Sequence, residues 1–230
     1  SQAVFGALSQ AIPSRVLADG SAGLWNTQLE GYDSEGRMFC YIYFSAGGMG
    51  GRPTSDGLSA TAFPSGIKGV PAETIEAVSP VLMLKRSLRP DSGGAGRYRG
   101  GLGQEMVLKM DSDRPVLHSC MYDRTRCPAR GFLGGMDGAA GELVLSDGTR
   151  PHPKGKYEIQ PGQTVTLRLP GGGGFYSPLE RDPDKVFEDV RQGRVSEASA
   201  ADVYGVVIDA ASGVVDPDAT TALRNRLGSE

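Results

Sequence analysis

The sequence predicts an α+β fold: a mostly antiparallel β body with glycine-rich loops, a small barrel-like or sandwich-like section of short strands, and a short-helix C-terminal tail. The chain has 34 glycines and 15 prolines in 230 residues. Glycine is therefore about twice as common as its usual share of roughly 7 %, which favours many turns and few long helices. Several short runs alternate apolar and polar residues, as strands do, and helical spacing is confined to the two ends of the chain.

The N-terminal part predicts one helix and two strands. Apolar residues recur at helical spacing over residues 3–12, and Pro13 ends the pattern. Because one face of this helix is apolar, we expect it to pack against an N-terminal segment or another chain. Residues 28–32 predict a strand, and residues 37–45 carry large apolar side chains on both faces, which predicts a strand buried on both sides.

The middle of the chain predicts seven further strands. Four of them are longer and flank a glycine-rich loop, and three are short and joined by tight turns, a pattern typical of a small barrel or sandwich. The predicted strands are residues 73–78, 81–88, 104–110, 116–122, 143–145, 156–159 and 164–169.

The tail predicts capped helices and one hairpin. Asp182 followed by Pro183 is typical of a helix start, and Gly193 of a helix end. A second short helix starts at Ser196, a hairpin joins residues 206–208 to 214–215 through Ser212-Gly213, and Asp216-Pro217 opens a last helix.

We predict three units: the mixed α/β body with its loops rich in glycine and arginine (1–141), the short-strand section (142–175) and an acidic, mostly helical tail (176–230). The tail holds 6 basic and 11 acidic side chains, a net charge of −5, against +2 for residues 1–175. Because the tail differs from the body in charge and periodicity, we expect it to dock against another subunit.

Composition excludes some partners. The overall net charge of −3 argues against nucleic acid. No apolar run is long enough to predict a membrane span, and three cysteines are too few for a disulfide framework. We therefore expect a cytoplasmic protein without a membrane partner.

The stretch from Arg89 to Gly103 is the most informative for function. It combines repeated glycine with three arginines, whose guanidinium groups suit carboxylate or phosphate oxygens. It is not a P-loop, because no Gly-Lys-Ser/Thr occurs in the chain, and a dinucleotide fingerprint starting at Gly94 would need glycine at Arg99. Nor does it fit a chymotrypsin-like nucleophile, because both histidines follow Ser92. A binding loop and a tightly packed connection both remain open.

Four ordered motifs carry a family resemblance: Ala46–Pro53 followed by Asp56-Gly57, Val70–Glu76, Arg89–Gly103, and Pro170–Phe175. Together they resemble the hydantoinase B/oxoprolinase family, the large-subunit partner in ATP-dependent opening of hydantoin and 5-oxoproline rings, related to acetone carboxylase subunits. The resemblance covers nearly all of this chain but only the C-terminal part of a typical member.

The resemblance implies how such a protein works. A hydantoinase A-like subunit would use ATP-Mg to phosphorylate the oxygen of a small cyclic amide, and the hydantoinase B-like portion would complete hydrolysis with a divalent metal. The family's His/Asp metal cluster lies in the N-terminal portion, which nothing here matches. His118 and His152 are far apart, and Cys120 and Cys127 have no nearby Cys or His pair. We predict no metal or cofactor on this chain and no activity without the remaining N-terminal portion of the large subunit and the ATP-using subunit.

The candidate site residues follow from the charge that develops at an activated amide, which needs nearby donors. As catalytic candidates, Arg97 and Arg99 supply donors, and Asp56 or Asp91 would position water or the ring nitrogen. Because Arg97 and Arg99 are two residues apart, we expect them on one side of an extended loop with Tyr98 facing the core. The substrate- or phosphate-binding candidates are Gly47, Gly48, Gly50, Arg52, Ser92, Gly93 and Gly94.

Two alternatives stay open. One is a related ketone carboxylase, in which the activated species is condensed with phosphorylated bicarbonate. The other is a non-catalytic assembly module, in which Arg97 and Arg99 pair with buried carboxylates or carbonyls.

Overall fold

The body consists of two antiparallel sheets. A computed structural model describes residues 2–209 and 213–229. Within them, one four-stranded sheet has the order β2-β1-β5-β7 and the other β3-β4-β8-β6. The strands are β1 (Trp25–Tyr32), β2 (Met38–Ser45), β3 (Val81–Leu88), β4 (Gln104–Met110), β5 (Val116–Met121), β6 (Glu142–Leu145), β7 (Lys154–Ile159) and β8 (Thr164–Arg168).

The main core lies between the two sheets. Alternate residues of each strand face inward, so Trp25 and Leu29 of β1 meet Met106 and Leu108 of β4 in one buried cluster. The Trp25 ring stacks on Tyr122 with the ring centroids 4.2 Å apart. The predicted α+β class with a mostly antiparallel body is confirmed, and its two-sheet core is a sandwich.

The short strands of 142–175 do not close into a barrel. β6 and β8 complete the second sheet, where β8 pairs with β4, and β7 pairs with β5 in the first sheet. The sequence predicted three short strands in this region but not the strands with which each of them pairs. The division into three units stays a prediction.

β2 is an edge strand and is buried on one face only. Phe39, Tyr41 and Tyr43 point toward the core, whereas Met38 is 72 % exposed and Ile42 47 % exposed. The expectation of burial on both faces is therefore wrong. A run of apolar residues cannot show whether a second layer covers the outer face of its sheet.

Residues predicted as a strand at 73–78 form a helix instead, α2 (Ala72–Val78). Alanine and glutamate favour a helix more than a strand, Pro71 stands directly before the first turn, and Ile75 alone is buried. The β-branched residues Thr74, Ile75 and Val78 favoured a strand, and the segment is too short for its apolar spacing to separate a helix from a strand.

The N-terminal helix α1 (Gln2–Leu8) is shorter than predicted, and a 3₁₀ turn over Pro13–Arg15 follows it. Phe5 stacks on Phe63, while Val4 and Leu8 remain 58 % and 41 % exposed. The helix is confirmed, and its expected packing partner is not among the described residues.

The glycine clusters meet at one end of the sandwich, in a layer of four segments: 46–51, 93–103, 131–138 and 170–175. We call this the glycine layer. Backbone hydrogen bonds join the segments, for example from the Gly94 amide to the Gly172 carbonyl at 2.8 Å and from the Gly101 amide to the Met49 carbonyl at 2.8 Å. A Cβ atom on Gly48 would lie 1.8 Å from the Gly101 carbonyl oxygen. Glycine is therefore required there for close backbone approach rather than for positive φ.

The tail folds against this layer. It contains α3 (Pro183–Arg191), α4 (Glu197–Asp202), the antiparallel pair β9 (Ile208–Asp209) and β10 (Val214–Val215), and α5 (Pro217–Leu227). Asp182, Ser196 and Asp216 cap the three helices as predicted. The hairpin is confirmed, although Ser212 of its predicted turn lies outside the described residues. A second apolar cluster, around Val186 and Tyr204, reaches Ala95 of the glycine layer.

Candidate functional site

Arg99 is buried and bonded to the tail. Its side chain is 4 % exposed, with Nε 3.3 Å from Oδ2 of Asp189 on α3. Its Nη1 donates to the Gly100 carbonyl at 2.7 Å, and its backbone amide donates to Oδ1 of Asp56 at 2.8 Å. Arg99 therefore connects the glycine layer to the tail helix.

Arg181 makes the reciprocal connection from the tail. Its Nη1 and Nη2 donate to the two carboxylate oxygens of Asp56 at 2.7 and 2.8 Å, and Nη2 also donates to Oδ2 of Asp189 at 2.7 Å. We call Asp56, Arg99, Arg181 and Asp189 the charge joint. It holds two cations and two anions, one of each from the body and one of each from the tail, and the half-exposed Arg194 adds a longer ion pair to Asp189 at 3.4 Å.

The environment keeps Asp56 ionised. Burial alone would raise the pKa of this carboxyl, but hydrogen bonds and charges from Arg181 and Arg99 outweigh burial and hold the pKa below its usual value. For Arg181, burial acts to lower the pKa, and the hydrogen bond and charge of Asp56 raise it well above the ordinary arginine value. A carboxylate bound this firmly by a guanidinium is a poor general base.

Arg97 points outward, unlike Arg99. Its side chain is 51 % exposed and lies 3.8 Å from Glu180, with the guanidinium carbon 5.7 Å from the Tyr98 ring centroid. Tyr98 pairs with Phe175 through backbone hydrogen bonds in both directions, and its two neighbours differ in environment, with Arg97 exposed and Arg99 buried. The expectation that both arginines lie on one side stays a prediction. Of the two predicted donors, only Arg97 stays accessible.

Asp91 is also tied to the tail. It is exposed, has a φ of 55°, accepts a hydrogen bond from the Ser196 amide at 2.9 Å, and donates from its own amide to the Arg194 carbonyl at 3.0 Å. Thus all four residues predicted as catalytic, Asp56, Asp91, Arg97 and Arg99, contact the tail. Their catalytic roles stay predictions.

The predicted binding residues lie within or beside the glycine layer. Ser92 is buried, donates to the Arg89 carbonyl at 2.5 Å and accepts from the Gly103 amide at 3.0 Å. Arg52 donates to the Asp56 carbonyl at 2.7 Å, which fixes the loop that carries the joint carboxylate. The five glycines named as binding residues are all buried against other backbone: Gly47, Gly48, Gly50, Gly93 and Gly94. The structure gives these residues packing roles, and ligand binding by them stays a prediction.

A pocket of about 320 Å³ opens beside the charge joint. Its lining includes Asp56, Tyr98 and Arg181 of the joint region and Lys185 and Glu188 of α3. Through this pocket, the partly exposed Asp56 of the charge joint is accessible to solvent.

A larger groove, of about 1060 Å³, is lined in part by Gly131 and Phe132 of the glycine layer. Arg124, Arg126 and Arg130 line it, together with Asp19 and Phe132. We call it the arginine groove. It was not predicted from the sequence, although the three arginines fall within seven residues after β5, a spacing that could have indicated a cationic loop.

The described residues offer no evident metal site: within 2–209 and 213–229, no three His, Cys, Asp or Glu side chains are grouped so that they could hold a metal ion. His118, one of the two histidines, is fully buried between the sheets, where Tyr122 and Tyr157 contact its two ring nitrogens. Among the described helices, none is long and apolar enough to cross a membrane.

The fold and the motifs agree with the comparisons to known proteins. A model of the Hydantoinase B/oxoprolinase family matches residues 1–178. The chain belongs to the hydantoinase B/oxoprolinase family. It is 34 % identical to the beta subunit of the caprolactamase of Pseudomonas jessenii and 30 % identical to the B component of a putative D-/L-hydantoinase of a Pseudomonas strain, with 95 % of the chain aligned in each case. It is also 30 % identical to the acetophenone carboxylase delta subunit of Aromatoleum aromaticum over 77 % of the chain.

A solved structure of the caprolactamase also resembles this chain. The crystal structure of the ATP-dependent caprolactamase from Pseudomonas jessenii matches 95 % of this chain with a TM-score of 0.80 and 31 % identity. The chain spans only part of these relatives, 37 % of the hydantoinase component and 40 % of the caprolactamase beta chain. The family therefore includes ATP-dependent hydrolase and carboxylase subunits.

Proposed function

We propose that this chain is the C-terminal part of the large subunit of an ATP-dependent cyclic amide hydrolase. That enzyme would open a small ring of the hydantoin or 5-oxoproline type together with an ATP-using partner subunit. The alignment with the caprolactamase beta chain carries the proposal, because it includes 95 % of the chain and extends through the tail. Hydrolysis is favoured over carboxylation because the caprolactamase beta chain is the more similar in sequence of the two, 34 % identical with 95 % of the chain aligned against 30 % with 77 % for the acetophenone carboxylase delta subunit.

Within such an enzyme, the described residues support positioning rather than bond breaking. The charge joint already satisfies Asp56 and Arg99 with ionic partners, so neither is free to accept a proton or to receive developing charge. Arg97 is the candidate donor that remains accessible. The nucleophilic water and its metal would belong to the remaining N-terminal portion, and the phosphoryl group to the partner, as the family resemblance implies.

The test is an activity assay on the complete large subunit co-purified with its ATP-using partner. Hydantoin, 5-oxoproline and caprolactam are supplied with ATP and Mg²⁺, and ring-opened product and ADP are measured with and without bicarbonate. We expect ring opening that depends on ATP and is indifferent to bicarbonate. Omission of ATP is the matched control.

A different product would contradict the proposal. In a parallel assay that supplies acetophenone, bicarbonate-dependent carboxylation of this ketone, without ring opening of any of the three amides, would replace this proposal with the carboxylase alternative.

A further inference from the structure

We propose that the arginine groove binds a small molecule through a carboxylate or phosphate group, with an apolar part of that molecule held against the groove wall. This inference does not depend on the proposed reaction. Three guanidinium groups from one short loop face a single groove of about 1060 Å³, whose volume suits a metabolite rather than a bare ion.

The positive charge of the groove is incompletely neutralised. Asp19 forms ion pairs with two of the arginines, since its Oδ2 lies 3.3 Å from Nη2 of Arg124 and 3.5 Å from Nε of Arg130. Asp137, the other acid in the lining, accepts a hydrogen bond from the Gly131 amide at 2.9 Å. Arg126 has no hydrogen-bond or ionic partner among residues 2–209 and 213–229 and is exposed. A guanidinium of this kind is available for two parallel hydrogen bonds to a carboxylate or phosphate.

Arg124 forms a rigid, half-buried base for the site. Its backbone has a φ of 59°, an uncommon conformation for a residue with a side chain, and one that costs about 1–3 kcal/mol. Its side chain is only 17 % exposed and is held by hydrogen bonds to the Pro128 carbonyl at 3.0 Å and to Oε1 of Gln2 at 2.5 Å. These side-chain contacts therefore hold a cation at the groove in one orientation.

The aromatic side chains in the groove wall indicate the nature of the uncharged part of the ligand. Phe5 from α1 and Phe132 from the glycine layer both line the groove, and the Phe132 ring is fixed by an edge-on contact with Phe175, with centroids 5.3 Å apart. Aromatic faces beside arginines favour an organic anion with a flat or apolar body. We therefore infer the class of ligand as a small aryl or cyclic carboxylate or phosphate ester.

The test measures binding by calorimetry to the purified full-length protein that contains this chain. The probes are phenyl phosphate, benzoate and inorganic phosphate, with benzyl alcohol as the uncharged match. We expect saturable binding of phenyl phosphate or benzoate, weaker binding of inorganic phosphate, and none of benzyl alcohol. The ratio between phenyl phosphate and benzoate decides which oxyanion the groove prefers.

Arg126→Ala is the informative variant, because the side chain makes no hydrogen bond or ion pair with the residues that the structure describes, and its loss should leave folding unchanged. We expect at least tenfold weaker binding of the preferred probe, with an unaltered thermal midpoint in its absence. Arg226→Ala, on the exposed face of α5, is the matched control and should bind like the wild type. Equal affinities of the Arg126→Ala variant and the wild type would overturn the proposal, as would binding of benzyl alcohol equal to that of the anions.

Discussion

Arg181 in the tail and Asp56 in the body form a two-pronged ion pair, with Nη1 2.7 Å from Oδ1 and Nη2 2.8 Å from Oδ2. The residues are 125 positions apart, so this pair, with Arg99 and Asp189, fixes the tail on the glycine layer. The tail that the sequence predicted as a docking element is docked on its own chain. Docking to another subunit stays a prediction.

We first predict that Arg181→Met lowers the free energy of unfolding by about 3–5 kcal/mol, because removal of one partner leaves buried carboxylates uncompensated. Urea denaturation followed by circular dichroism measures the change. Arg226→Met, which removes an exposed arginine of the same tail, should change stability by less than about 0.5 kcal/mol. If the two variants are equally stable, the charge joint does not hold the tail.

A second prediction separates Arg97 from Arg99. Arg99→Ala should lower the free energy of unfolding by about 1–3 kcal/mol, because Asp189 would lose one buried partner while Arg181 and Arg194 remain in contact with it. Arg97→Ala should cost less than about 1 kcal/mol, because Arg97 is 51 % exposed and its contact with Glu180 is a surface pair.

Turnover in the complete enzyme then tests the catalytic role of Arg97. A donor to developing negative charge should cost about 10²–10³ in kcat when removed, without loss of stability. Arg97→Lys keeps the charge and should recover part of the rate. Normal turnover of Arg97→Ala would remove this residue from the candidate site.

A third prediction concerns the glycine layer. Gly48→Ala should destabilise the protein by about 1–3 kcal/mol or more, because its Cβ would lie 1.8 Å from the Gly101 carbonyl oxygen. Gly6→Ala is the control, since Gly6 lies in the exposed helix α1 with no atom within 4 Å of the added Cβ, and it should stabilise the helix by about 0.5–1 kcal/mol. Thermal unfolding of both variants measures the difference, and a Gly48→Ala midpoint equal to the wild type would contradict the tight packing.

The strands were largely predictable from sequence, because alternation in β1, β4 and β8 reflects a local property, one covered face. The predictions that were wrong concern features that the local sequence does not determine. Burial of β2 depends on what covers its sheet, and the short α2 has too few residues for a clear period. The glycine clusters were visible, but whether they bind a ligand or pack against each other depends on segments far apart in the chain.

The candidate site shows the same limit. Glycines and arginines in one loop indicate either ligand binding or close packing, and only the position of Asp189, 90 residues from Arg99, shows that Arg99 has a buried ionic partner. The family resemblance was more informative, because it rested on four motifs in order. The arginine groove required the fold, since α1 and the loop after β5 are distant in sequence.

The last prediction concerns pH and His118. This histidine is fully buried, and desolvation lowers its pKa to about 3. Its Nε2 lies 2.9 Å from the Tyr122 hydroxyl, and the Tyr157 hydroxyl contacts Nδ1. Because the unfolded chain binds a proton near pH 6.5 and the folded chain does not, stability is fully present above that pH and falls as the pH decreases toward 3.

The expected slope is about 1.4 kcal/mol per pH unit between roughly pH 6 and pH 4. Asp56 does not interfere in most of this range, because its lowered pKa means that its contribution is lost only as the pH falls through and below the ordinary carboxyl range. Urea denaturation at a series of pH values measures the slope in the wild type and in His118→Gln, which keeps hydrogen-bonding groups near both tyrosines without titrating. The variant is expected to be less stable at pH 7 but to lack this dependence. If both proteins lose stability equally between pH 6 and pH 5, His118 is not the group that titrates.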